Sequence, residues 1–189
     1  MTRQHEPGAP LTVPILEKAA LRYLERYASS AETLRRVLLR RVARAVGRDE
    51  AAAEQGRALV ETLIQRYLDA GLLDDRRYAA AKAASLARAG ASRYRIRGTL
   101  LQKGVPAAEI ATAVAALDAE DEHSELAAAA AFIRRKRLGP YRPVERRGAL
   151  RQKDLATLAR AGFALDLARR LLDAPDADAL DRHVHGDES

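Results

Sequence analysis

The chain of 189 residues is predicted to be all-α, built from three tandem three-helix repeats, and three observations point there. Helix formers dominate and β-branched residues are sparse, so no stretch favours a sheet. Aromatics make up only 4% of the chain and tryptophan is absent, while much of its 48% apolar content is alanine. Alanine packs helices closely but buries little area, so the expected core is thin and spread along the chain. Third, one stretch matches another without a gap. QKGVPAAEIATAV set on RAGFALDLARRLL pairs Gly104 with Gly162, Val105 with Phe163, Ile110 with Ala168 and Val114 with Leu172, a period of the size used by stacked helical repeats.

The elements follow in order. Residues 1–13, with Pro7, Gly8 and Pro10 and no periodicity, read as a disordered tail. Repeat 1 spans 14–71. Leu16, Ala20, Leu24 and Tyr27 mark its first helix. Ser29, three residues before Glu32, reads as a capping box that starts a second helix at about Ser30, with Leu34, Leu38 and Val42 inward. A joint over Gly47–Gln55 leads to a third helix through Val60, Leu63, Ile64 and Tyr67, which Gly71 stops. Repeat 2 spans 72–118, with helices over Asp75–Ala89, Ser92–Lys103 and Pro106–Leu117. Asp74 is its N-cap, Leu73 and Tyr78 its hydrophobic staple, and Gly90 and Gly104 its stops. Repeat 3 spans 119–174, with helices over Asp121–Leu138, Pro143–Ala161 and Ala164–Asp173. Residues 175–189 read as an acidic tail.

Charge is segregated. The formal net charge is +7 and the pI about 10.0, which suits a polyanionic or acidic partner. Basic stretches coincide with the middle helix of each repeat and its approach: Arg35–Arg48, Arg88–Lys103 and Arg134–Lys153. The candidate contact residues are Arg93, Arg95, Arg97 and Lys103 in the second repeat. The third adds Arg134, Arg135, Lys136, Arg137, Arg142, Arg146, Arg147, Arg151 and Lys153. The second group is the denser and faces only Glu145 nearby in sequence, so mutual repulsion favours an external anion there. Any single arginine is more simply a solvated side chain. Tyr94 and Tyr141 sit beside arginines, and packing is the expected fate of both.

Several function classes lose support. Without cysteine there is no disulfide, thiolate metal site or cysteine nucleophile. The glycines are isolated at helix stops and form no phosphate-cradling loop. No serine has a histidine partner in a recognisable arrangement, and His183 and His185 in the tail make a poor metal site. The reading is a non-enzyme without cofactor or metal. With no signal-peptide core at the start and no span of about 20 apolar residues, a cytoplasmic monomer is expected, with no membrane association.

Gly71-Leu72-Leu73-Asp74-Asp75, the Arg95-Ile96-Arg97 step and Leu101-Gln102-Lys103-Gly104-Val105 together resemble the second repeat of the RecX family. The likeness extends over about Leu16–Asp173 and is good from Phe132 to Leu172, where FIRRKRLGPY leads to LARAGF. It implies helix-turn-helix-like repeats in an elongated, curved modular body. It also implies a negative regulator that binds the RecA filament on single-stranded DNA and inhibits recombinase, ATPase and coprotease activity, modulating DNA repair and the SOS response. DNA is a possible further partner, and a general DNA-binding protein is the alternative reading. Three departures stand out. The Gly47–Gln55 joint suggests a splayed or mobile first repeat, the alanines among Ala79–Ala84 and Ala127–Ala131 suggest weaker packing of the first helices, and the acidic tail is expected to shield the basic stretches from DNA when no filament is present.

Overall fold

The protein was analysed as a computed structural model, which describes residues 12–120 and 124–185. Ten α-helices occur among the described residues, and no strand. They are α1 (Val13–Leu24), α2 (Ala31–Val46), α3 (Glu50–Asp69), α4 (Asp75–Arg88), α5 (Arg93–Gln102), α6 (Ala107–Glu120), α7 (Ser124–Lys136), α8 (Val144–Arg160), α9 (Leu165–Leu172) and α10 (Ala177–His185). A 3-10 turn, Gly139–Tyr141, joins α7 to α8. The all-α expectation holds. The chain separates into two compact units, one reaching to Tyr78 and including Lys103–Pro106, the other formed by Ala79–Gln102 and the residues from Ala107 onward.

The first unit packs α1 and α3 against α2 around Leu16, Leu34, Leu38, Val60 and Ile64, all at most 1% exposed. Two local expectations need correction. The cap of α2 is Ser30, not Ser29: its Oγ accepts from Thr33 N at 3.2 Å, whereas Ser29 Oγ donates to the Ser30 carbonyl at 3.0 Å. Glu32 therefore plays no part in a capping box and instead holds Arg35 and Arg36 at 2.6 and 2.7 Å. The joint after α2 is also shorter than expected, because Asp49 caps α3 by accepting from Ala52 N at 2.9 Å and the alanines that follow are helical. Nothing is splayed there; α2 and α3 run against each other.

Gly71 ends α3 at φ +70°, with its amide donating to Leu68 O and the Leu72 amide to Tyr67 O, the pairing that satisfies carbonyls left over at a helix end. Asp74 caps α4 through Arg77 N at 2.8 Å, while Asp75 reaches the first amide of α2, at Ala31, at 2.8 Å. Ser30 Oγ also donates to the Lys103 carbonyl at 2.5 Å, which ties the turn after α5 to this unit.

In the second unit α7, α8, α9 and α10 enclose Ile133, Leu158, Ala168, Leu171 and Leu180, each 0% exposed, with Phe132 and Phe163 edge to face at 5.5 Å. Ser92, fully buried, accepts from Arg95 N at 3.3 Å and donates to Ala161 O at 2.5 Å, so it starts α5 and fastens it to the end of α8. Gly162 follows at φ +86°; a side chain there would stand 2.8 Å from Ser92 Oγ and 2.7 Å from the Tyr94 ring. The stretch from 175 onward differs from the expected tail. Asp176 caps α10 through Ala179 N at 2.7 Å and Leu180 is buried, because its apolar residue has α7 to pack against. The expected N-terminal tail lies outside the described residues, apart from Thr12 and Val13, where α1 begins.

Candidate partner-binding surface

The dense basic run Arg134–Lys153 divides into engaged and open cations. Asp154 is 1% exposed and accepts from Gly139 N at 3.0 Å and from Arg142 at 2.7 and 2.8 Å. Burial disfavours its charge, but the guanidinium and the amide outweigh that and hold the carboxyl below the usual carboxylate range. Arg147 donates to the carbonyls of Arg142 at 3.0 Å, Pro140 at 2.8 Å and Pro175. Arg151 grips Asp173 with two nitrogens at 2.8 and 2.7 Å, and that contact depresses the Asp173 carboxyl. Arg135 donates to Ala89 O and lies over the Phe132 ring at 5.5 Å.

Arg134, Lys136, Arg137, Arg146 and Lys153 remain exposed. Arg137 stands at φ +50°, the position after a helix that glycine takes at Gly71 and Gly162. A side chain there costs about 1 kcal/mol or more. Tyr141 packs against the core of this unit, as expected, and burial raises its hydroxyl.

Helix α5 distributes its residues differently. Ile96 and Leu100 are fully buried, while Arg93 is turned in to Glu125 at 3.1 Å. Arg95 and Arg97 are exposed. Tyr94 is 72% exposed, against the packing expected for it, and Leu101 is 66% exposed. Positions 94, 97, 98 and 101 share one face of a helix, and this face with Ala107, Ile110 and Ala111 of α6 borders an open groove of about 700 Å³. Gly98 sits between Tyr94 and Leu101 with nothing within 4 Å of where a Cβ would be. Glycine inside a helix costs about 0.5–1 kcal/mol relative to alanine, and no neighbour in this protein requires it. Lys103, the remaining candidate, has an exposed side chain, while its carbonyl serves Ser30.

Sequence reasoning missed Gly98 and Leu101 as surface features. The available signal was a second apolar pair, Tyr94 and Leu101, seven apart and off the face defined by Ile96 and Leu100. The described residues include no group of three or more His, Asp or Glu placed to hold a metal ion. No helix among them is long and apolar enough to cross a membrane.

A family model described as RecX, second three-helix domain, matches residues 74–114. Three relatives carry the name Regulatory protein RecX. That of Myxococcus xanthus is 45% identical over 163 residues, 86% of each chain. That of Halorhodospira halophila is 33% identical over 160 residues, 85% of this chain and 88% of its own. That of Agrobacterium fabrum is 33% identical over 127 residues, 67% of this chain and 66% of its own. No solved structure matches. The matched segment holds the α5 face, and the likeness runs through nearly the whole of the chain on either side of it; the chain belongs to the RecX family of regulatory proteins.

Proposed function

We propose that this protein is a negative regulator of RecA. It binds the filament that RecA forms on DNA and inhibits recombinase, ATPase and coprotease activity, modulating DNA repair and the SOS response. It acts by occupancy, without chemistry or cofactor of its own, as a cytoplasmic monomer. Family membership supports the regulatory part of this reading. The observation that carries the contact is the α5 face: Tyr94 and Leu101 exposed, Arg95 and Arg97 beside them, and a glycine notch that fold stability disfavours. Exposed aromatic and arginine side chains around a notch suit a protein partner's surface. The open cations Lys103, Arg134, Lys136, Arg137, Arg146 and Lys153 are further candidate contacts. A filament repeats one subunit surface, so weak contacts from separate repeats sum through effective concentration.

The test is ATP hydrolysis by RecA on single-stranded DNA with increasing amounts of this protein. Suppression near stoichiometric addition is expected, and an unchanged rate rejects the proposal. Gly98→Leu places its Cβ where nothing stands within 4 Å and fills the notch, so inhibition should weaken at least ten-fold while Tm stays level or rises. The general DNA-binding reading, favoured by the same cations, predicts instead an association with naked DNA that RecA does not enhance and that falls steeply with salt.

A further inference from the structure

The groove bordered by α5 and α6 has a lining that fits one kind of occupant. Tyr94 and Leu101 lie seven residues apart on α5, about 10 Å along the helix axis. Both are exposed, and between them Gly98 has nothing within 4 Å of where a Cβ would be. The α6 side of the lining is formed by Ala107 and Ala111, one turn apart and exposed, and by Ile110. Two large apolar side chains with small residues between and beside them let a second backbone come close.

Tyr94 is exposed but not loose. Gly162 stands so near that a Cβ there would come within 2.7 Å of the Tyr94 ring and 2.8 Å of its Cβ. The turn after α8 therefore seats the inner edge of a ring that is otherwise open to solvent. A side chain already held in place loses little freedom on binding, which suits it as an anchor.

This surface does not favour an extended partner. A peptide strand adds to a sheet edge through free backbone groups, and there is no strand among the described residues. Amides inside a helix are spent on the helix's own carbonyls. A groove beside two helices instead takes a third, which inserts side chains at i, i+4 and i+7 of an apolar stripe. Charge sets the rest. No carboxylate lines the groove, and Arg95 and Arg97 are exposed and in no ion pair among the described residues, whereas Arg93 is held by Glu125 at 3.1 Å. At about 3.6 residues per turn, Arg95 and Arg97 project to opposite flanks of the Tyr94–Gly98–Leu101 stripe.

We infer that the α5–α6 groove is a docking site for a single amphipathic helix of a protein partner, its apolar stripe on Tyr94, Gly98 and Leu101 and its carboxylates toward Arg95 and Arg97. This rests on the reading of the α5 face as the partner contact, and adds the form and charge of what the partner brings.

Fluorescein-labelled synthetic peptides are titrated with the full chain and followed by anisotropy. The panel carries leucine, isoleucine or phenylalanine at i, i+4 and i+7 of a helix with glutamates on both flanks. Controls scramble the order, replace glutamate with lysine, or are polyglutamate. At least one panel peptide should bind, more than ten-fold tighter than every control. Gly98→Leu should weaken that binding at least ten-fold. Arg95→Gln with Arg97→Gln should weaken it about three-fold at low salt and less at high salt, as exposed ion pairs do. Leu165→Ala shortens an exposed apolar side chain outside the lining and should change nothing. Circular dichroism and Tm check that the variants are folded. The inference is overturned if no panel peptide binds, if any control binds as well, or if Gly98→Leu keeps the parent affinity. Inhibition of RecA ATP hydrolysis by the same variants keeps the two readings apart. Inhibition that falls with Gly98→Leu while no peptide binds leaves the filament reading and removes the helix; peptide binding without inhibition does the reverse.

Discussion

The run Arg134–Lys153 and the α1–α2 groove are both basic, and they use their cations in opposite ways. In the run, arginines lie almost side by side in sequence, yet Arg142, Arg147 and Arg151 are bound to Asp154, to three carbonyls and to Asp173. Between α1 and α2, Lys18 and Arg22 come from one helix and Arg41 and Arg44 from the next, and folding sets them around one groove with no acid among the lining residues. Charge density along a chain therefore says little about charge available to a partner. What decides is whether the fold brings an acceptor to each cation.

The largest expected effect tests the run's internal engagement. Asp154→Ala strips a buried carboxylate from Gly139 N and from Arg142, whose side chain is only 24% exposed. Breaking a buried pair on one side costs about 3–5 kcal/mol, and Arg142's partial access to water puts the expectation near the lower end. Urea denaturation measures it; an unchanged midpoint would show that the run is not bound into the fold. The same carboxyl sets an acid dependence. Its folded pKa lies below the unfolded value, so its stabilisation is complete above the ordinary carboxylate range and is lost as pH falls through the folded value. Asp173, depressed by Arg151, and Glu32, whose two arginines outweigh its burial, follow the same sign. Stability should decline below about pH 4, and Asp154→Asn should make that decline shallower.

Next in size is Arg147→Gln. A guanidinium shared by three carbonyls leaves at least one acceptor without its donor when shortened to an amide. Hydrogen bonds from a charged group contribute about 1.5–3 kcal/mol, and a decrease within that range is expected in the same denaturation experiment. A decrease below about 0.5 kcal/mol, the range of ordinary surface substitutions, would return Arg147 to the open cations and narrow the contrast with the groove.

These residues also show which parts of the fold are legible in sequence. Helix stops were, because Gly71, Gly90, Gly104 and Gly162 all adopt positive φ and the chemistry of a helix end is local. Buried faces such as Leu34, Leu38 and Val42 were, because periodicity is local too. Ion pairing was not. Glu145 is the only acid within the run, so repulsion looked unrelieved, but Asp173 arrives from the end of α9 and the Pro175 carbonyl from beyond it. The α1–α2 groove was hidden for the same reason: Lys18 and Arg22 give no sequence sign that they will face Arg41 and Arg44. Ser29 misled because two adjacent serines compete for one cap, and only Ser30 has Thr33 N within reach.

The smallest expected effect has the opposite sign. Arg41 and Arg44 lie three apart on α2, the spacing at which side chains on a helix meet. Like charges at such spacing destabilise by about 0.2–0.5 kcal/mol, and Lys18 and Arg22 face them from α1. Replacing both arginines with glutamine should leave Tm level or raise it slightly, where Arg147→Gln lowers it. The gain should fade as salt rises, since exposed charges are screened over about 10 Å at 0.1 M. A drop in Tm at low salt would mean that the groove arginines hold the unit together as Arg147 does its own.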